Sequence, residues 1–197
     1  MPLQQIIPTW LALNGCNDTS ASGISSLRTG EPVNAGGLAL GDHFDLTEQE
    51  ANSLSDLNTG LLHSGRYRRI QVHEGATAVN VRPGMLGGRV TSLIPELNIL
   101  TTLDQSYVGT RRVVVFLNTI DPGNYGFVQE LGITMVMCGS ILAPAIVGQQ
   151  AFASNAWDGT ADTTSGTSTI GTLGYWLDVP QSNTLTRIVL YRPVFQG

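Results

Sequence analysis

The sequence predicts a mainly β chain, folded as a barrel or a sandwich, with one short helix and an extended N-terminal arm. Three observations carry that reading. Some ten short segments rich in Val, Ile, Thr, Tyr and Phe are separated by turn residues at close spacing. The block Arg111 to Ser140 reads as strand–turn–strand with almost no charge inside the strands. A capping box followed by a leucine repeat supplies one clear helix.

The organisation changes near residue 60, and the chain divides into an arm, 1–45, and a β-rich domain, 46–197, with the helix near 47–59. The arm is rich in Gly, Ser, Asn and Pro and shows little periodicity. Leu3, Ile6, Ile7, Trp10, Leu11 and Leu13 are apolar residues set in this context. An arm with apolar anchors and no core of its own docks on a neighbour, or packs back on its own domain as an irregular strand. In the helix, Thr47-Glu48-Gln49-Glu50 is the capping box, Leu46 and Ala51 form a hydrophobic staple, and Leu54, Leu57 and Leu61 make one apolar face. Asp45, Glu48 and Glu50 lie at the positive end of the helix dipole, so they read as capping residues.

From Tyr67 onward the pattern is β. Arg68 to Val72 and Ala76 to Val81 alternate with period two around a His73-Glu74-Gly75 corner; Arg89 to Ile94 and Leu97 to Thr101 read as further strands. Val113 to Leu117 is an unbroken β-branched and aromatic run. In Asp121-Pro122-Gly123-Asn124, Pro122 fixes φ and Gly123 or Asn124 accepts positive φ. Gly126 to Glu130 resumes as a strand, Gly132 turns the chain, and Ile133 to Met137 is the next strand. A small-residue tract, 143–172, follows, with strands expected over Gly148 to Ala153, Thr169 to Val179 and Thr186 to Tyr191.

Composition narrows the function. A hydrophobic fraction of 42% with 13% charged residues leaves the surface short of charge, against roughly a quarter charged in an average domain. Such a chain covers its surface against something, so assembly is the first expectation. A net charge of −5 gives no general attraction to phosphate backbones and argues against nucleic acid. All ten basic residues are Arg, which suits planar interface contacts but equally follows from codon usage. No stretch approaches the ~20 apolar residues of a spanning helix, so no membrane partner is expected. Cys16 and Cys138 lie in different regions and read as buried, unpaired thiols. Leu13-Asn14-Gly15-Cys16 superficially matches a lipoprotein cleavage box, but the preceding segment lacks both basic residues and an apolar core.

No catalytic constellation stands out. His43, His63 and His73 are not at metal-ligand spacing, no Gly-x-Ser-x-Gly elbow occurs, and the lysine of a phosphate loop is missing. No enzyme activity, cofactor or metal is expected. The one basic cluster is Arg66, Arg68 and Arg69, with His63, Tyr67 and His73. It could meet phosphates or an acidic protein surface, and the overall negative charge favours the acidic partner.

The block Val115 to Gly132 (VFLNTIDPGNYGFVQELG) is similar to a phrase that recurs in the capsid decoration, or cement, proteins of tailed bacteriophages. There a Pro-Gly-x-Tyr-Gly-aromatic-Val-Gln turn precedes a Gly and an apolar strand. Val147-Gly148-Gln149, Gly159-Thr160-Ala161, Ile170-Gly171 and the final strand around Arg187-Ile188-Val189-Leu190 continue the likeness across about residues 110–192. The resemblance makes Pro122, Gly123, Tyr125 and Gly126 turn-defining. It implies a small β-barrel or β-tulip-like domain on the outside of a capsid, often as a trimer. The partners it implies are the major capsid protein and neighbouring copies of the chain, and the location is the virion exterior, after synthesis in the host cytoplasm. The arm residues Leu3 to Leu13 would be the capsid-binding segment. A β-rich fibre, tail or baseplate component binding a host glycan is the alternative, with Trp157, Asp158, Tyr175 and Trp176 as its sugar platform.

Overall fold

The computed structural model describes residues 40–41, 43–49, 51, 63–73, 81–89, 99–102, 113–117, 119–141, 146–154, 157–164 and 172–191. The described chain is mainly β, as expected. Its strands are β1 (His43–Leu46), β2 (Gly65–Val72), β3 (Leu86–Arg89), β4 (Ile99–Thr102), β5 (Val114–Phe116), β6 (Tyr125–Met137), β7 (Gln150–Ala153), β8 (Ala161–Asp162), β9 (Gly174–Trp176) and β10 (Leu185–Leu190). Of the expected helix, Glu48, Gln49 and Ala51 are helical, and the Ala51 N–H donates to the Thr47 carbonyl at 2.9 Å. The leucine face, residues 76–80 of the expected Ala76 to Val81 strand and residues 1–39 of the arm lie outside the described residues, while 43–45, the end of the arm, belong to β1.

Strand β6 organises everything else. Its first half is flanked by β5 and β2, which are linked in turn through two further strands: β2 pairs with β4 in parallel, β4 with β3, and β3 with β5. The pairings therefore close a ring of five strands. Its interior is an apolar core of Ile70, Val72, Leu100, Val114, Phe116 and Val128, with Val81 and Ile120 at the ends. The second half of β6 pairs with β10, which continues through β9 and β7 to β8. A parallel bridge between Cys138 and Ala161 brings β8 back against the end of β6, and the Gly139 N–H donates to the Ala161 carbonyl at 2.9 Å. This second ring encloses Val136, Cys138, Trp176, Ile188, Leu190 and the small residues Ala151, Ala153 and Ala161. The small residues are what let the fully buried Trp176 fit.

The unbroken apolar run in β5 now has its cause. Val114 and Phe116 enter the first core, while Val113 and Val115 pack with Leu86 in the second, so both faces are buried and no alternation survives.

One expectation needs correction. Gly132 does not turn the chain between two strands; β6 runs unbroken for 13 residues. Gly132 takes φ +100° inside the ladder, opposite Gly65 on one side and Leu190 on the other. A Cβ there would lie 2.2 Å from the Ser64 carbonyl oxygen, so glycine is required by close backbone approach where the two rings meet.

Candidate interaction surfaces

The basic cluster is resolved by a β-bulge. Tyr67 pairs with Gln129 and Arg66 with Leu131, so Glu130 is the extra residue on β6. The bulge aims the Glu130 carboxylate, 4% exposed, at the Arg68 guanidinium, Nε at 2.9 Å, and the His43 ring, Nε2 at 3.0 Å. The buried amide of Gln129 ties the same bulge together, donating to the carbonyls of Leu131 at 3.1 Å and Ile133 at 2.6 Å. Arg68 and Arg69 are each 3% exposed, and the Arg69 guanidinium lies 5.2 Å from the centre of the Tyr125 ring. Arg66, on the surface, makes a two-pronged contact with Asp45, Nε to Oδ1 at 2.9 Å and Nη2 to Oδ2 at 3.1 Å. That hydrogen bond holds the Asp45 carboxyl below its ordinary range, outweighing partial burial. Of the three arginines, Arg66 alone reaches outward; Arg68 is buried against Glu130 and Arg69 beside the Tyr125 ring.

The Glu48 side chain also reaches across to β2. Its carboxylate accepts from the Ser64 N–H at 3.1 Å and lies 3.9 Å from His63 Nδ1. The Ser64 backbone bond is the main reason the Glu48 carboxyl is lowered. Three acid–base contacts thus hold β1, at the end of the arm, and the helix start against the first ring.

The turn at 121–124 has the expected chemistry. The Asn124 N–H donates to the Asp121 carbonyl at 3.0 Å, and Gly123 has φ +78°, the geometry of a type II turn with Pro122 leading it. The turn locks onto β2: Gly123 N–H to Val72 carbonyl at 2.9 Å, Val72 N–H to Asn124 carbonyl at 2.9 Å, and Gln71 Nε2 to the Gly123 carbonyl at 3.0 Å. Tyr125 and Gly126 are the first residues of β6, opposite Gln71 and Ile70.

The second ring presents a different surface. Every large apolar side chain that is exposed among the described residues belongs to it: Ile146, Val147, Trp157, Tyr175, Val179 and Tyr191. Tyr175 and Tyr191, 40% and 49% exposed, meet edge to face with ring centres 5.6 Å apart. Across the strands, Gln150, Tyr175, Val189 and Ile133 form one row. One residue pair further along, Arg187 opposes Met135 and is held by Asp178, Nε to Oδ2 at 2.6 Å and Nη2 to Oδ1 at 2.8 Å. The contact lowers the Asp178 carboxyl and raises the guanidinium. The 146–149 turn hangs on the end of β9, with the Gly148 N–H donating to the Trp176 carbonyl at 2.8 Å.

This surface divides the four residues of the expected sugar platform. Tyr175, Trp157 and Asp158 are exposed, whereas Trp176 is fully buried in the core. Tyr191, Val189, Ile146 and Val179 were not singled out by sequence. In Thr186 to Tyr191 both alternating sets contain apolar residues, so the pattern cannot say which set faces out. The apolar arm residues Leu3, Ile6, Ile7, Trp10, Leu11 and Leu13 lie outside the described residues. Among the described residues no group of three His, Cys, Asp or Glu is placed to hold a metal ion. No described helix is long and apolar enough to cross a membrane.

No protein-family model and no curated protein matches the chain. Among solved structures, the chain is similar to the N base of the head fiber gp8.5 of bacteriophage phi29, at 20% identity and a TM-score of 0.41, over 66% of this chain and 98% of that one.

Proposed function

We propose that this chain is a structural component of a phage virion that binds the outside of the capsid and stabilises it by bridging major capsid subunits. The observation that carries this reading is the uneven surface: a charge-poor chain places its exposed large apolar side chains, among the described residues, on one of its two rings. Exposed aromatic and aliphatic side chains grouped in this way are what a protein interface requires at its centre. The likeness of Val115 to Gly132 to the cement-protein phrase supplies the kind of assembly. The working parts would be the apolar arm, gripping major capsid protein, and the β domain, touching neighbouring copies. No catalysis, cofactor, nucleic acid or membrane enters this reading.

A clamp of this kind works by repetition. Each copy adds a modest contact, and a copy that touches two subunits gains from effective concentration. Internal pressure separates subunits, so bridging contacts raise the resistance of the shell. The test compares capsids with and without the protein under heating and at low ionic strength. Earlier rupture of the bare capsids is expected; equal survival refutes the stabilising role. The glycan-binding fibre reading retains a specific observation, the exposed Tyr175–Tyr191 pair, and predicts glycan binding that is lost in Trp157→Ala or Tyr175→Ala.

A further inference from the structure

We infer that the outer face of the second ring, centred on Tyr175, Val189 and Ile133, is where one copy of this chain meets another. The inference rests on the capsid reading above only for why copies lie side by side. Three features choose a second copy over other occupants.

First, the face is electrically closed. Its charged pair, Arg187 and Asp178, is bound to itself by two hydrogen bonds. Among the described residues nothing there selects a charged partner, and two such faces can approach without like-charge repulsion. A sugar is poorly served, because the side chains in the row with Tyr175 are Val189, Ile133 and one amide, Gln150. Binding a sugar would need several convergent polar groups.

Second, the size fits a contact between tethered copies. Four strands spaced ~4.8 Å apart, each offering about five residues at ~3.3 Å, cover only a few hundred Å². A stable free complex buries about 800 Å² on each partner. The face alone therefore gives weak pairing in solution, which becomes effective where copies are held at high local concentration.

Third, the face is far from the root of the arm. The described chain begins beside Arg69, whose carbonyl accepts from the Gly41 N–H at 2.9 Å, and Arg69 lies opposite Phe127. From Phe127 to Ile133 along β6 is about 20 Å at ~3.3 Å per residue. If the 39 residues before Leu40 grip the shell, the arm is rooted on the first ring and the apolar face is free for a neighbour.

The test is sedimentation velocity of the full chain over a wide concentration range, beside Tyr191→Asp and Val189→Arg. Tyr191 lies just beyond β10, so its variant is the one expected to keep the wild-type melting curve. Wild type should self-associate weakly, and each variant should weaken the association by about tenfold or more. Hydroxyl-radical footprinting of the wild type supplies a reading that needs no variant: Tyr175 and Tyr191 should become protected as concentration rises. Unchanged association in a folded variant, unchanged footprints, or a wild type that stays monomeric throughout would overturn the assignment. So would glycan binding lost with Tyr175→Ala while sedimentation stays the same. Binding to purified capsid shells is measured separately. Shell binding with unaltered self-association removes only this face; self-association through the face without shell binding removes only the capsid reading.

Discussion

Gly132 faces Gly65 across the ladder at the junction of the two rings, and neither position has room for a side chain. A Cβ on Gly132 would lie 2.6 Å from the Gly65 Cα, and one on Gly65 would lie 2.0 Å from the Leu131 carbonyl oxygen. The pair lets β6 pass from one core to the other as a single strand. Gly132→Val adds a Cβ at φ +100° as well as a backbone clash. It should cost about 3 kcal/mol or more, read as a fall in the denaturant midpoint. A variant as stable as wild type would mean that the rings are not joined by this close approach.

The Glu130 bulge leads to a contrast between two ion pairs on neighbouring residues. Glu130→Ala leaves Arg68 buried without its carboxylate, and breaking a buried pair in this way costs about 3–5 kcal/mol. Arg66→Ala removes an exposed pair with Asp45 and should cost no more than about 1 kcal/mol. Urea unfolding of the two variants should separate them clearly. Equal effects would show that burial does not set the worth of the Glu130 contact.

Acid should act through the surface carboxylates. Asp45 and Asp178 are both held below the ordinary 3.8 by hydrogen bonds from Arg66 and Arg187. Their folded values lie below their unfolded values, so their stabilisation is complete above about pH 4 and disappears as pH falls through the lowered folded values. The double variant Asp45→Asn, Asp178→Asn should be slightly less stable than wild type at neutral pH and indistinguishable from it at about pH 2, in unfolding at moderate salt. A difference that persists in acid would assign the effect to packing.

The 121–124 turn should matter for folding. Gly123 sits at φ +78°, and its N–H and carbonyl both engage β2. Gly123→Val should lower the melting temperature, while Gly123→Asn, which tolerates positive φ, should recover much of the loss. Equal melting of the two variants would argue that φ is not what selects glycine there.

The sequence made some of this structure legible and hid the rest for definable reasons. Strands with strong local signals, Val113 to Leu117 and Thr186 to Tyr191, appear at β5 and β10 with small shifts at their ends. The Pro122-Gly123 turn was readable because its chemistry is local. Gly132 misled because glycine marks a close approach as often as a turn, and only the pairing of β6 with both β2 and β10 tells them apart. Arg68 and Arg69 read as a surface patch because the partner that buries Arg68, Glu130, is placed by a bulge more than sixty residues away in sequence. The outward face of the second ring was hidden because Ile188 and Val189 look alike in sequence, although one is in the core and the other in the exposed row.

The central claim is attachment to the outside of a capsid, and the most direct measurement is a pair of particle reconstructions, with and without this protein. The account predicts difference density on the outer surface of the shell, reaching across the boundary between adjacent major capsid subunits. Difference density confined to the tail, the baseplate or the shell interior, or none at all, would contradict it.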